Sequence, residues 1–297
     1  MPVVAAAVCP HPPLLVPEVA TGAAPDLDDL RAACLTAIEA LTPATTILVI
    51  GSTAPTAHTA HAAPPAPTAP PAPTAPPAPT APPAPTAPAT SPAPTARTAP
   101  TARTAPTART ARAGSSAIGR AFGSPWTYDA AAGGSFGAYG APGVRIGSGP
   151  AVLPLALAVG GWLLEQSKAA GLPRTYLAVP ADTTPAECVR LGREIANGND
   201  RVGLLVMGDG SARRSEHSPV HLHPRAELFD TTVAKALQHK ELDVLAALDP
   251  DLAAELQAAG RAPWQVLAGA LAGTPLSGDL LYEAAPYGVG YLVASFT

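Results

Sequence analysis

A 61-residue tract, Thr53–Ala113, sets the terms on which this chain folds. It is almost purely Ala, Pro and Thr, with PPAPTA repeated four times between Pro64 and Ala87 and a TARTAP-like unit from Thr95. Such residues offer little apolar surface, so burial cannot offset the entropy lost on ordering them. An extended, solvated, partly polyproline-II segment is expected. It reads as a linker, a glycosylated stalk or an inert repeat expansion, and loop closure penalises such length only slowly. Any core must therefore come from 1–52 and 114–297.

Outside the tract lie 236 of the 297 residues, enough to bury a sizeable core. The formal net charge is −4, and Arg97, Arg103, Arg109 and Arg112 of the tract contribute +4, so the remainder sums to −8. That sign excludes a basic nucleic-acid-binding domain. Cys9, Cys34 and Cys188 form neither a paired framework nor a CxxC motif, as in a reduced compartment. The start MPVVAAAV lacks the basic residues of an export signal, so a cytoplasmic location is expected. The uncharged stretch from Ile146 to Leu164 is long enough for a membrane span. Pro150, Pro154 and four glycines favour instead a loop leading into a buried helix, and no membrane partner is expected.

Val3–Val8 is predicted as a first strand, stopped by Cys9-Pro10-His11-Pro12-Pro13. A helix over Asp26–Leu41 follows, with Leu27, Leu30, Cys34, Ile38 and Leu41 along one face and acids in its first turn. Further strands are predicted at Thr45–Ile50, Thr175–Val179 and Val202–Met207. Helices are predicted at Leu155–Ala169, Pro185–Ile195, Arg225–Lys240, Leu252–Ala259 and Pro263–Ala272. Ala130–Gly143 reads as a Gly-rich loop with some strand, and Leu280–Glu283 and Val289–Ser295 as closing strands around Pro286-Tyr287-Gly288. This alternation predicts an α/β fold: one domain, 1–52 and 114–297, with a mostly parallel central sheet flanked by helices, interrupted by a long disordered Ala/Pro/Thr-rich insertion.

In such folds ligands gather at the carboxyl ends of the strands, where Cys9–Pro13, Gly51–Ser52 and Gly208–Arg214 are expected to meet. His11 follows the first strand on a loop stiffened by prolines, the preorganisation that suits a metal ligand or an acid/base group; the alternative is a loop histidine bonded to a nearby carbonyl. Gly208, Asp209, Gly210 and Ser211 follow the strand Val202–Met207 as a turn whose amides, with Arg213 and Arg214, suit an anion or other small ligand. The turn lacks the third glycine of a dinucleotide fingerprint, and Ser211 is outside a GxSxG elbow with no base in its motif. His217, His221 and His223 have metal-site composition in a Pro-flanked loop. His58 and His61 fall within the biased tract. Trp264 opens a helix and reads as core.

Taken together, Val8-Cys9-Pro10-His11-Pro12-Pro13-Leu14, Gly133-Gly134-Ser135-Phe136, Leu205 to Ala212, Pro224-Arg225-Ala226-Glu227, Gly260 to Gln265 and Ala285 to Val289 resemble segments of the class III extradiol ring-cleavage dioxygenases, subunit-B-like. The resemblance implies an α/β fold, self-association into a homo-oligomer, and a non-haem Fe(II) site that cleaves a catecholic aromatic ring. Two His and one Glu then hold the iron, and a further His acts as acid/base. His11 matches the first ligand position. The second histidine is expected where Ser52, Thr53 and Ala54 stand, the acid/base histidine where Ala212 and Arg213 stand, and the glutamate where Ala262 and Pro263 stand. One imidazole does not hold Fe(II) against water, so substitutes are needed from His58, His61, His217, His221, His223 or Glu227. The other reading is a metal-free descendant that binds a small, anionic or aromatic ligand, or a protein partner, through Gly208–Ser211 and Arg213.

Overall fold

In the computed structural model, residues 3–53, 126–198 and 200–297 are described. The predicted insertion, with His58 and His61, lies outside the described residues apart from Thr53. That threonine ends a strand.

Continuous apolar runs make the central strands: β1 (Val3–Cys9), β2 (Thr46–Thr53), β6 (Arg174–Pro180) and β7 (Val202–Met207). Such runs suit strands covered on both faces. Alternate residues go to opposite layers. Ala6, Val8, Leu48, Ile50, Leu204 and Val206 pack in one core cluster, whereas Ala5, Ala7, Ile47, Val49, Leu205 and Met207 pack in another. The first layer is closed by α4 (Pro185–Ala196), α5 (Ala226–Gln238), α6 (Leu242–Ala246), α7 (Pro250–Glu255) and α8 (Arg261–Leu271). The second is closed by α2 (Asp28–Glu39) and α3 (Leu155–Glu165), with the short α1 (Pro17–Ala20) ahead of α2.

The sheet has seven strands in the order β3-β6-β2-β7-β1-β9-β8, where β3 is Thr127–Tyr128, β8 is Gly278–Ala284 and β9 is Tyr291–Phe296. The four inner strands β6, β2, β7 and β1 run parallel. The three outer strands pair antiparallel, so the sheet is mixed, which qualifies the mostly parallel expectation. The connection between β8 and β9 is too short for a crossover and dictates a hairpin. A second, two-stranded sheet pairs β4 (Gly134–Phe136) with β5 (Ala141–Ile146). The stretch after Ile146 is a loop leading into the buried helix α3, as expected. Among the described residues no helix is long and apolar enough to cross a membrane.

Local signals explain how α4 and α8 are held. Thr184 and Glu187 form a capping box at the start of α4, with Pro185 in the first turn. The Thr184 bonds hold the Glu187 carboxyl below its usual range. Where α4 crosses α8, a Cβ on Gly192 would lie 2.0 Å from the Val266 carbonyl oxygen, and one on Gly269 would lie 2.1 Å from that of Val189. Two glycines thus let the backbones touch and set α8, with all its residues buried, beneath the strand ends.

Candidate functional site

A cavity of about 700 Å³ opens at the carboxyl ends of β1, β2 and β6. His11 lines it from the loop after β1, Ser52 and Thr53 from the end of β2, and Asp182 from the turn after β6. Its far side is α7 with the start of α8, where the buried Arg261 forms part of the floor. Much of the remaining lining is Ala, Leu and Pro. Strand β7 contributes indirectly: the turn after it brings Asp209 against His11.

The chain after β1 turns at once into a single 3₁₀ turn, Pro13–Leu15, and Leu15 donates its amide to the Pro12 carbonyl. His11 is thereby fixed with only 9% exposure. Its backbone N–H donates to Asp209 Oδ1 at 2.7 Å, and its ring Nδ1 lies 3.6 Å from the same oxygen. That ring nitrogen is buried and without a hydrogen-bond partner. A carboxylate facing Nδ1 favours the tautomer with the proton on Nδ1, which leaves the other ring nitrogen basic. Behind the pair the medium is apolar. Burial pushes up the Cys34 thiol and the Tyr291 phenol, and Asp209 adds to both in the same direction.

The rest of the glycine turn is occupied internally. Gly208 donates its amide to the Cys9 carbonyl, Gly210 to that of Gly290, Ser211 to Asp230 Oδ1, and Arg213 to Ser211 Oγ. Ser211 is wholly buried and its hydroxyl donates to the Leu256 carbonyl. Arg213 donates to the carbonyls of His221 and Glu255, and Arg214 pairs with the buried Asp230 at 2.9 Å. These donors therefore meet protein acceptors, and the residue that the turn offers to the cleft region is Asp209. Asp230 is the brace. A Cβ on Gly210 would lie 2.5 Å from its Oδ1, and one on Gly290 2.0 Å from its Oδ2, so both glycines are needed to seat it.

The other candidate ligands among the described residues lie elsewhere. His223 pairs with Glu255 at 3.0 Å, Glu227 is exposed beside Arg214, and neither they nor His217 and His221 line the cavity. Trp264 is fully buried, as expected. Among the described residues no three His, Cys, Asp or Glu side chains gather to hold a metal ion. The described donor set at His11, one imidazole and a carboxylate already bonded to a backbone amide, does not fit a three-ligand Fe(II) centre.

Among the lining residues, the charged Asp182 and Arg261 were not candidates read from the sequence. Asp182 follows a predicted strand, so the strand-end rule that selected His11 applied to it equally. Arg261 had no such signal, because only the crossing of α8 under the sheet brings it to the cavity.

No family model matches the chain. Protein CA_C1420 of Clostridium acetobutylicum is 28% identical over 121 residues, which cover 39% of this chain and 25% of that protein. The chain thus spans a quarter of the length of that curated relative. Among solved structures, the uncharacterized protein JW3007 from Escherichia coli K12 is similar at 18% identity and a TM-score of 0.35, over 46% of this chain and 61% of that one.

Proposed function

We propose that the protein binds a small, largely apolar organic molecule in the cleft at the strand ends and exchanges a proton with it through His11, held by Asp209. The observation that carries this reading is the buried Nδ1 of His11, 3.6 Å from Asp209 Oδ1, on a residue that lines a cavity of about 700 Å³. A cavity of that size with few polar groups suits a compact ligand. Catalytic hydrogen bonds are often long before the ligand arrives and tighten when it binds. The extradiol-dioxygenase resemblance supports an aromatic diol as the ligand class. Ring cleavage with Fe(II) is left out of the reading, because the described donors do not fit that ion.

The test is titration of the protein with catechol, followed by the ring C2–H resonance of His11, assigned by its loss in His11→Gln. A saturable shift is expected, with a dissociation constant in the range of about 0.1–10 mM that suits so small a ligand. An unmoved His11 resonance throughout that range refutes the proposal.

A further inference from the structure

We infer that the ligand of this cleft carries a carboxylate, which Arg261 binds on the cavity floor. The inference rests on the cleft reading above and adds the charge of the ligand to it.

Arg261 is only 3% exposed, yet it lines the cavity. Its guanidinium donates to the carbonyls of Ala181 and Thr183 and to Gln265 Oε1, three neutral acceptors. A guanidinium has five N–H donors, so two more remain for a further acceptor. Burial disfavours its charge, while Cys188 and Asp182 act in the opposite direction. An anion brought into the cavity would relieve that cost, and a planar carboxylate matches the fork geometry of the guanidinium. Arg261 is also the first residue of α8, an 11-residue helix, and Ala262 beside it lines the same cavity, so the positive end of the helix dipole adds to the field.

Charge in the lining is segregated by depth. The cation Arg261 and the imidazole of His11 are buried on the floor, whereas the two acids in the lining, Asp182 and Asp251, are exposed at the rim. Water and salt screen the rim charges more than the floor charge, although Asp182 still acts on Arg261. The interior therefore selects an anion even though acids outnumber arginines around the mouth. An apolar or aromatic body against the Ala, Leu and Pro walls, with the carboxylate on Arg261, satisfies both halves of the lining.

The experiment compares benzoate with its neutral isostere benzamide, each titrated into the full chain. Benzoate is expected to bind wild type about tenfold more tightly than benzamide, the size of one charge-assisted hydrogen-bond pair. Arg261→Gln should abolish that preference. Because Arg261 also ties down the turn after β6, Asp182→Asn is the deciding variant. It keeps the backbone carbonyls that Arg261 meets, removes a negative charge that acts on Arg261, and should tighten benzoate about threefold with benzamide unchanged. Equal affinities for the two probes in wild type, or no gain for benzoate in Asp182→Asn, overturn the carboxylate site while benzamide binding keeps the cleft reading intact. If neither probe binds, the carboxylate site falls, and the cleft reading falls with it only if catechol also leaves the His11 resonance unmoved.

Discussion

Removing the Asp230 carboxylate should loosen the whole glycine turn, and the cost can be worked out from its partners. Asp230 is fully buried, accepts the Ser211 amide at 2.8 Å, and pairs with Arg214 at 2.9 Å. In Asp230→Ala the Ser211 amide is left buried and unsatisfied, about 1–3 kcal/mol. Arg214 loses its buried partner, a loss that reaches about 3–5 kcal/mol for a fully enclosed pair. The Arg214 side chain is 17% exposed, and Glu227 lies 4.0 Å from it, so the lower part of that range applies and a total of about 4–6 kcal/mol is expected. Asp230→Asn keeps an acceptor for Ser211 and should cost about 1–2 kcal/mol. Urea unfolding at pH 7 reads both, with the midpoint of the alanine variant lower by about 1 M or more. The pH dependence checks the same picture. Burial pushes the Asp230 carboxyl up, against the pull of the Ser211 amide and Arg214. The folded state then keeps this proton to higher pH than the unfolded chain does. The group therefore makes stability fall as pH rises from about 4 through the raised value, and that component vanishes in Asp230→Asn. An alanine variant within about 1 kcal/mol of wild type, or an asparagine variant that costs more than the alanine one, refutes the reasoning.

Gly192→Ala sets a methyl 2.0 Å from the Val266 oxygen and 2.6 Å from the Ala270 nitrogen; neither backbone atom yields easily, and a loss of about 3 kcal/mol or more in urea is expected, whereas Gly171→Ala, with nothing within 4 Å, should be nearly neutral. The three cysteines are buried, and burial pushes the Cys188 thiol up to about 11; a thiol reagent at pH 8 should therefore label none of them in the native protein and all of them in denaturant. Anaerobic protein supplied with Fe(II) should retain under about a tenth of an equivalent, since the described donors at His11 do not complete a ligand set. Stoichiometric retention that His11→Ala abolishes would show that set to be completed by other side chains.

The alternation of apolar runs with amphipathic segments was enough to read the α/β class, and Val202–Met207 came out residue for residue. Caps and breakers placed other ends well, as at Pro185, where Thr184 and Glu187 close the box. The short helix α6, Leu242–Ala246, was missed, because five residues are too few for a period of 3.6 to declare itself. The sheet was expected to be more parallel than it is. Strand direction at an edge depends on which neighbour a hairpin reaches, and apolar composition carries no record of that.

What the sequence alone determined was local: strands from runs that tolerate burial on both faces, an imidazole fixed by its prolines, a glycine turn after a buried strand. It brought out His11 and Asp209 as separate candidates 198 positions apart. Tertiary structure decided the rest. It joined those two residues through a bond between adjacent parallel strand ends, turned the remaining amides of the glycine turn onto protein acceptors, and carried Arg261 under the sheet to the cavity floor. Donor and acceptor pairing is settled only when both partners have been brought within about 3 Å, and that nearness comes from the packing of whole layers.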